Sequence, residues 1–420
     1  MDKKKNLQND GTSSLQVIRI YFFRGAGFIG SHITVHFVTQ YPEFQIVVLD
    51  KLTHCASKKN LKEIECCKNF EFIQGDIRSS DLVRHIFTKY EIDTVIHIAA
   101  ETHVGISRDN NLIGCTDHSF GDPLSFVRTN VEGTHVLLEC SRERWVQKKF
   151  NLFLHMSTDE VYGESSLTDK SWEGKKETFV LMPTNPYAAS KAGGELLVQS
   201  YHHSFQLPVI ITRGNNTYGP KQYPEKLIPK FITLLQRNKP LCIYGTGKNL
   251  RCYLFVSDLV KAYDMLMHKG VIGEIYNIGS TTEYSNNEVS EQLCRLLNKD
   301  VKEFMHYVKD RPKNDLRYLI NCEKILALGW KPVVSFEKGL QLTVDWYNNN
   351  EHTHHWSGIE SALESTPHQM KRDNAGHLQP SHSIKSGIKQ FSTSNDHDDK
   401  DNTNHNHSNG QEVTYKRDTE

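Results

Sequence analysis

Short runs of consecutive apolar residues recur through the first half of the chain, separated by longer stretches of mixed polarity. QIVVLD (45–50), FEFIQGD (70–76), DTVIHIAA (93–100), KKFNLFLHMST (148–158) and LPVIITR (207–213) are apolar without alternation, the pattern of strands covered on both faces in a parallel sheet. Between them, SHITVHFVTQ (31–40) and DLVRHIFTK (81–89) read as helices. Strands and helices in alternation predict an α/β fold, a doubly wound parallel sheet that binds its ligand at the carboxyl ends of the strands. After about residue 220 the rhythm loosens. EKLIPKFITLLQRN is a helix candidate, followed by PLCIYG, YLFVSDLVKAYDMLM and EIYNIG, which predicts a smaller lobe with segments that return to the main sheet.

From Glu351 the pattern disappears. EHTHHW leads into FSTSNDHDDKDNTNHNHSNG, with few aliphatic residues to build a core, so residues 351–420 are expected to be a disordered polar tail. Nine of the 22 histidines fall here. They lack regular spacing and fixed acidic or cysteine partners, so a solubilising extension is the plainer reading and a metal-binding tract the weaker one. Lys plus Arg balance Asp plus Glu at 50 each, which gives no reason to expect a nucleic acid or an anionic membrane as partner. Nine scattered cysteines without a CxxC motif fit a reducing compartment. The first twelve residues hold no signal-like apolar segment, and no run approaches the ~20 residues of a membrane span. The expected location is cytoplasmic.

The run RIYFF turns at once into RGAGFIGSH. Gly27 and Gly30 stand three apart where the strand gives way to a helix, and Asp50 ends the next strand twenty residues later. Such a turn lets a pyrophosphate approach the backbone and rest on free N–H groups at the helix start, while the acid accepts hydrogen bonds from a ribose. Asp50 would repel a 2′-phosphate, which favours NAD over NADP. Residues 1–16 are then a flexible N-terminus, 17–215 mainly an NAD-binding Rossmann domain, and 216–350 mainly a substrate-binding lobe. The extended pattern GxxGxxG also asks for glycine at position 24, where the chain has Arg24. Its Cβ strains a tight turn. Its charge could meet the pyrophosphate directly, but only by folding back over its own backbone.

MSTDEVYG places Thr158, Asp159 and Glu160 directly after a buried strand, and NPYAASK places Tyr187 and Lys191 four residues apart, on one face of a helix. An ammonium beside a phenol favours the phenolate, so Tyr187 is suited to remove a hydroxyl proton. Asp159 and Glu160 read either as a helix cap and first-turn acid or as an acid and base whose proximity drives their protonation apart. Simple alcohol oxidation does not require such a pair. Elimination of water beside a ketone does.

From about residue 17 to 350 the chain resembles the dTDP-D-glucose 4,6-dehydratases of the extended short-chain dehydrogenases and reductases, especially the animal members. The stretches that carry the resemblance include GAGFIGSH, FIQGDIR, VIHIAAETHV, MSTDEVYG, NPYAASKAGGE, NTYGPKQYPEKLIPK, YGTGKNLR and DRPKNDLRY. The resemblance implies a hydro-lyase whose redox chemistry is internal, because hydride leaves sugar C4 and returns at C6. Tyr187 would deprotonate the C4 hydroxyl held by Thr158, Glu160 would take the C5 proton, and Asp159 would protonate the departing C6 hydroxyl. Gly27, Phe28, Ile29, Gly30, Asp50, Lys51, Asp76, Ile77, Ala99, Ala100, Tyr187 and Lys191 would hold NAD. Asn216, Glu225, Lys226, Leu227, Arg251, Asn277 and Arg311 would meet the nucleotide sugar, and two chains would form a homodimer.

Two departures bear on activity besides Arg24. Thr217 stands where many members carry a second asparagine before YGP. After HV, where the family continues DRS, this chain has GISRDNNLIGCT (105–116), which reads as an insertion. Loop length costs the fold little, whereas a shift of ~1 Å at a catalytic centre costs ~100-fold in rate. The alternatives are a UDP-glucose 4,6-dehydratase, since sequence does not rank the contacts that discriminate base and ribose, or a catalytically weakened homologue that binds a nucleotide sugar or a protein partner, which Arg24 and the insertion favour.

Overall fold

The computed structural model describes residues 18–101, 122–166, 174–310 and 315–349, with shorter stretches at 355–356, 358–363, 370–372 and 378–380. The segment 105–116 and Arg311 lie outside the described residues.

The first six strands are β1 (Arg19–Phe23), β2 (Gln45–Asp50), β3 (Phe70–Gln74), β4 (Thr94–His97), β5 (Leu152–Thr158) and β6 (Val209–Gly214). They alternate with helices α1 (Phe28–Gln40), α2 (Ser80–Lys89), α3 (Pro123–Val127), α4 (Gly133–Val146) and α5 (Pro186–Phe205). A turn of π-helix (Arg128–Glu132) joins α3 to α4, and 3-10 segments follow β2 (Lys58–Ile64) and β5 (Asp159–Tyr162). Beyond them lie β7 (Asn216–Tyr218), α6 (Leu227–Gln236), β8 (Leu241–Tyr244), β9 (Leu250–Phe255), α7 (Val256–Lys269), β10 (Ile275–Ile278), β11 (Glu283–Ser285) and α8 (Asn286–Leu296). The remainder is α9 (Val301–Phe304), β12 (Met305–Val308), β13 (Arg317–Tyr318), α10 (Glu323–Ala327), α11 (Phe336–Asn349) and α12 (Ile359–Leu363).

Seven strands form a parallel sheet in the order β10-β6-β5-β4-β1-β2-β3. Strand β10 thus comes from the later part of the chain and pairs with β6. The unbroken apolar runs follow from burial on both faces. Tyr21, Val47, Val95 and Phe153 pack with Val83 of α2, Leu137 of α4 and Val198 of α5, while their neighbours Ile20, Ile46, Ile96 and Leu154 pack with Phe37 of α1 and Leu259 of α7. Strand order reverses between β1 and β4, which opens a crevice at their carboxyl ends. The lobe is built on short strands, β7, β11 and β13 around β9 and β12 beside β8, with a separate core of Ile232, Leu235, Leu293, Leu340 and Val344.

That core also takes up residues from the region expected to be disordered. Trp356, Ile359 and Leu363 are each buried in it, and Trp356 meets Tyr223 edge-on at 5.6 Å between ring centroids. The apolar spacing of these three residues gives α12 one face to bury, which the surrounding polar sequence obscures. Chain ending at residue 363 should therefore keep the denaturation midpoint of the full protein. Chain ending at residue 350 should lose at least ~3 kcal/mol, since large core side chains contribute ~2–5 kcal/mol each; equal midpoints in urea for the two truncations would contradict the packing. Separately, β14 (Met370–Arg372) and β15 (Leu378–Pro380) pair antiparallel as a local hairpin. No helix among the described residues is long and apolar enough to cross a membrane.

Candidate active site

Helix α1 begins at Gly27, which offers no side-chain cap, so the first N–H groups of the helix are left to other partners. Gly27, Phe28, Ile29 and Gly30 all line a cleft of about 310 Å³. The two glycines are required for different reasons. At Gly30 a Cβ would lie 2.1 Å from the Arg24 carbonyl oxygen, so glycine is needed for the helix to pack on the turn. At Gly27 a Cβ would approach protein atoms no closer than 3.5 Å, and φ is −76°. Nothing among the described residues demands glycine there; a ligand approaching the backbone from the cleft would. This is the fit expected for a dinucleotide.

Arg24 takes φ 65°, the left-handed conformation that glycine adopts more easily. The turn survives: Arg24 N–H donates to the Leu49 carbonyl at 2.9 Å and its own carbonyl accepts from Gly27 at 3.3 Å. The side chain lines both the main cleft and a smaller cavity bounded by Asp50, Lys51, Asp76, Ile77, Ala99 and Ala100. Asp50 accepts from the backbone N–H groups of Ala26 (2.9 Å) and Leu52 (2.8 Å), and burial raises its pKa. Asp76 is held by Arg78 at 2.7 Å and Lys51 at 3.1 Å. The expected cofactor residues thus fall into two neighbouring cavities with Arg24 on the wall of each.

Thr158, Glu160, Tyr187 and Lys191 line the main cleft together with Asn216, Glu225, Lys226 and Leu227. Thr158 ends β5, and its hydroxyl oxygen caps the following 3-10 turn by accepting from the Glu160 N–H at 3.3 Å. The acids at positions 159 and 160 therefore do occupy the first turn of a helix, and Glu160 also lines the cleft. Helix α5 starts with Asn185 as cap and Pro186 at its first position. Asn185 accepts from Ala188 N–H at 2.7 Å and donates to Glu160 Oε2 at 3.2 Å, so one side chain starts the tyrosine helix and holds the carboxylate. Burial and then the charge of Asp159 push Glu160 up to about 7. Burial also raises Asp159, to about 6, against the hydrogen bonds from Asn215 and Thr158. Lys191 is lowered to about 8 by burial and donates to the Met156 carbonyl at 2.5 Å.

Three residues stand away from their expected places. Asp159 is not on the cleft wall: its carboxylate accepts from Asn215 at 2.9 Å and from the Thr158 hydroxyl at 3.2 Å, two residues that do line the cleft. Asn277 is fully buried, accepting from the Tyr162 hydroxyl and donating to the carbonyls of Lys175 and Asn321; it locks β10 to its neighbours and does not reach the site. Arg251 is not on the cleft wall: it donates to the carbonyls of Leu250, Asp315 and Leu316 and lies over the Tyr318 ring at 4.7 Å, while its charge is near enough to Asp159 and Glu160 to favour their ionised forms. Thr217 is on the cleft wall, its hydroxyl 3.4 Å from the Asn215 carbonyl. Sequence reasoning passed over Asn185 and Asn215. The Asn-Pro start of α5 was a legible cap signal for the first; nothing local marked the second.

A family model described as GDP-mannose 4,6 dehydratase matches residues 25–343. Human dTDP-D-glucose 4,6-dehydratase is 44% identical over 354 residues, which cover 83% of this chain and 95% of that protein. A trifunctional Arabidopsis thaliana protein named UDP-glucose 4,6-dehydratase, UDP-4-keto-6-deoxy-D-glucose 3,5-epimerase and UDP-4-keto-L-rhamnose reductase is 43% identical over 84% of this chain. The chain spans about half the length of that relative, 50%. Among solved structures, DesIV of Streptomyces venezuelae, a dTDP-glucose 4,6-dehydratase with NAD and TYD bound, superposes with TM-score 0.73 at 36% identity, covering 81% of this chain and all of the other. Bacterial, plant and animal relatives match at similar identity, from 41% to 45%. With its cleft, its strand order and matches over most of its length in accord, the chain belongs to the nucleotide-sugar 4,6-dehydratases of the extended short-chain dehydrogenase and reductase superfamily.

Proposed function

We propose that the protein is a dTDP-D-glucose 4,6-dehydratase of the animal type, forming dTDP-4-keto-6-deoxy-D-glucose and water. The observation that carries the reading is one cleft holding Tyr187, Lys191 and Glu160, with Glu160 raised to about 7 so that it can serve as a base near neutral pH. The animal placement is supported by 44–45% identity to the human, bovine and mouse proteins, against 41% for the Haemophilus influenzae protein.

Gly27, Phe28, Ile29 and Gly30 on one side, and Asp50, Lys51, Asp76, Ile77, Ala99 and Ala100 on the other, would hold NAD. When bound, it supplies a reversible hydride acceptor. Tyr187 takes the proton of the C4 hydroxyl, which Thr158 orients, and Lys191 steadies the phenolate. Glu160 takes the C5 proton. Asp159 supplies the proton on which the C6 hydroxyl leaves as water, with its hydrogen-bond partner Thr158 on the cleft wall. Asn216, Glu225, Lys226 and Leu227 face the nucleotide-sugar end. A second copy of the chain is the proposed partner, supported by exposed Leu124 and Val127 on α3 and Leu196 on α5.

The UDP-glucose alternative is favoured by the name and the 43% identity of the Arabidopsis relative. Full-length chain incubated separately with dTDP-glucose and UDP-glucose should give the 4-keto product from both, with higher kcat/KM for dTDP-glucose. A preference for UDP-glucose would reassign the base. Release of tightly bound NAD from a chain that turns over neither sugar would point to the weakened homologue, the reading that Arg24 and residues 105–116 favour.

A further inference from the structure

We propose that Arg24 is the anion anchor of the dinucleotide cleft, the residue that grips the ligand's pyrophosphate; the inference rests on the dinucleotide reading above. Its guanidinium is nearly unused. Among the described residues only Nη2 has side-chain partners, the Thr53 hydroxyl at 3.4 Å and the Cys55 sulfur at 3.1 Å. A guanidinium presents five donors, and no carboxylate among the described residues forms an ion pair with this one. Of the nearby acids, Asp50 already accepts from two backbone N–H groups, and Glu101 shares the wall of the smaller cavity with Arg24 without pairing with it. A partly buried cation with one weak hydroxyl contact and one thiol contact is costly to hold without an anion.

Its location says which anion. Arg24 is on the wall of the 310 Å³ cleft that holds Tyr187 and of the smaller cavity that holds Asp50 and Asp76. A ligand occupying both would have to pass this side chain with whatever links its two ends. In a dinucleotide that link is a diphosphate, whose oxygens match the fork geometry of a guanidinium. The uncapped first turn of α1 lies beside it, adding N–H groups of the same preference. The left-handed backbone at φ 65° is the structural cost of placing an arginine there, and the hydroxyl and thiol of the loop after β2 are the rest position from which the side chain moves onto phosphate.

The test is calorimetric titration of full-length chain, dialysed free of nucleotide, with NAD and with ADP-ribose at 50 and 500 mM salt. Relative to the native chain, Arg24→Gly should bind both ligands roughly tenfold to hundredfold more weakly and with a shallower salt dependence, and Arg24→Lys should fall between. Arg24→Gly should also melt about 1–3 °C higher before ligand is added, because glycine accepts the left-handed turn; this confirms that weaker binding is not loss of fold. Binding by Arg24→Gly as tight as, or tighter than, that of the native chain would overturn the anchor and leave the dinucleotide reading standing. If the native chain bound neither ligand, the dinucleotide reading itself would fall, and the anchor with it.

Discussion

Glu160→Gln should lower turnover by roughly 10³-fold and at the same time raise the melting temperature. The carboxylate lies in the cleft with one described donor, Asn185 at 3.2 Å, and its ionisation is opposed by burial and by Asp159. Glutamine keeps an acceptor for Asn185 but cannot take the C5 proton, so solvent deuterium should no longer enter at C5. Exchange at the native rate would reject Glu160 as the base. In the native protein, Glu160 must be ionised to act, so the rate should fall about tenfold per pH unit once pH drops below about 7. The stability effect has the opposite sense. The folded chain retains a proton that the unfolded chain releases between pH 4.5 and about 7, so native stability declines as pH rises across that window. Glu160→Gln should therefore be more stable than the native chain at pH 8, by ~1–3 kcal/mol, and no more stable at pH 4. A variant less stable at pH 8 would remove burial as the cause of the raised pKa.

Arg213→Met should destabilise the fold by ~3–5 kcal/mol, the cost of leaving a buried carboxylate without its partner. Arg213 on β6 is 2% exposed and Glu195 on α5 is fully buried. The guanidinium donates to Glu195 at 3.1 Å through Nε, to the Tyr162 hydroxyl at 2.7 Å and to the Glu177 carbonyl at 3.0 Å. It thereby ties the helix that carries Tyr187 and Lys191 to the turn that carries Asp159 and Glu160. Replacing both charges, Arg213→Met with Glu195→Leu, should recover most of the loss, since an apolar pair of similar volume spares both desolvation costs. Urea denaturation of the two single variants and the double variant measures this. Equal losses in all three would mean that packing, and not the orphaned charge, sets the cost.

The main sheet was legible because burial on both faces writes itself as apolar runs, and α1 differs from its sequence reading chiefly in starting three residues earlier, at the glycine turn. The lobe was less legible. Its strands β7, β11 and β13 are two or three residues long, too short to show a period, and their pairing with β9 is a tertiary choice. At the site, the residues read together from contiguous motifs, Thr158 with Glu160 and Tyr187 with Lys191, do share the cleft. Motif membership does not tell which way a side chain faces. Asn277 lies in register with Arg213 across β10 and β6, inside the fold, and Arg251 is held by backbone carbonyls that only the folded lobe brings near. Trp356 and α12 were hidden for a related reason, since one apolar face amid polar sequence signals burial only when the surface that receives it is known.

The turn of π-helix between α3 and α4 fixes the point where β4 ends. Asn130 in that turn accepts from the Glu101 N–H at 2.8 Å, donates to the Glu101 carbonyl at 3.2 Å and donates to the Ser190 hydroxyl of α5 at 2.8 Å. Both backbone groups of residue 101 are thus moored to the helix that carries the tyrosine, and on the far side Asp122 restarts the chain by capping α3 through the Ser125 N–H at 3.2 Å. The place of Ala99 and Ala100 on the cavity wall is thus set by the same asparagine and serine that seat the tyrosine helix, so a change at Asn130 would reach the cofactor cavity and the catalytic helix together.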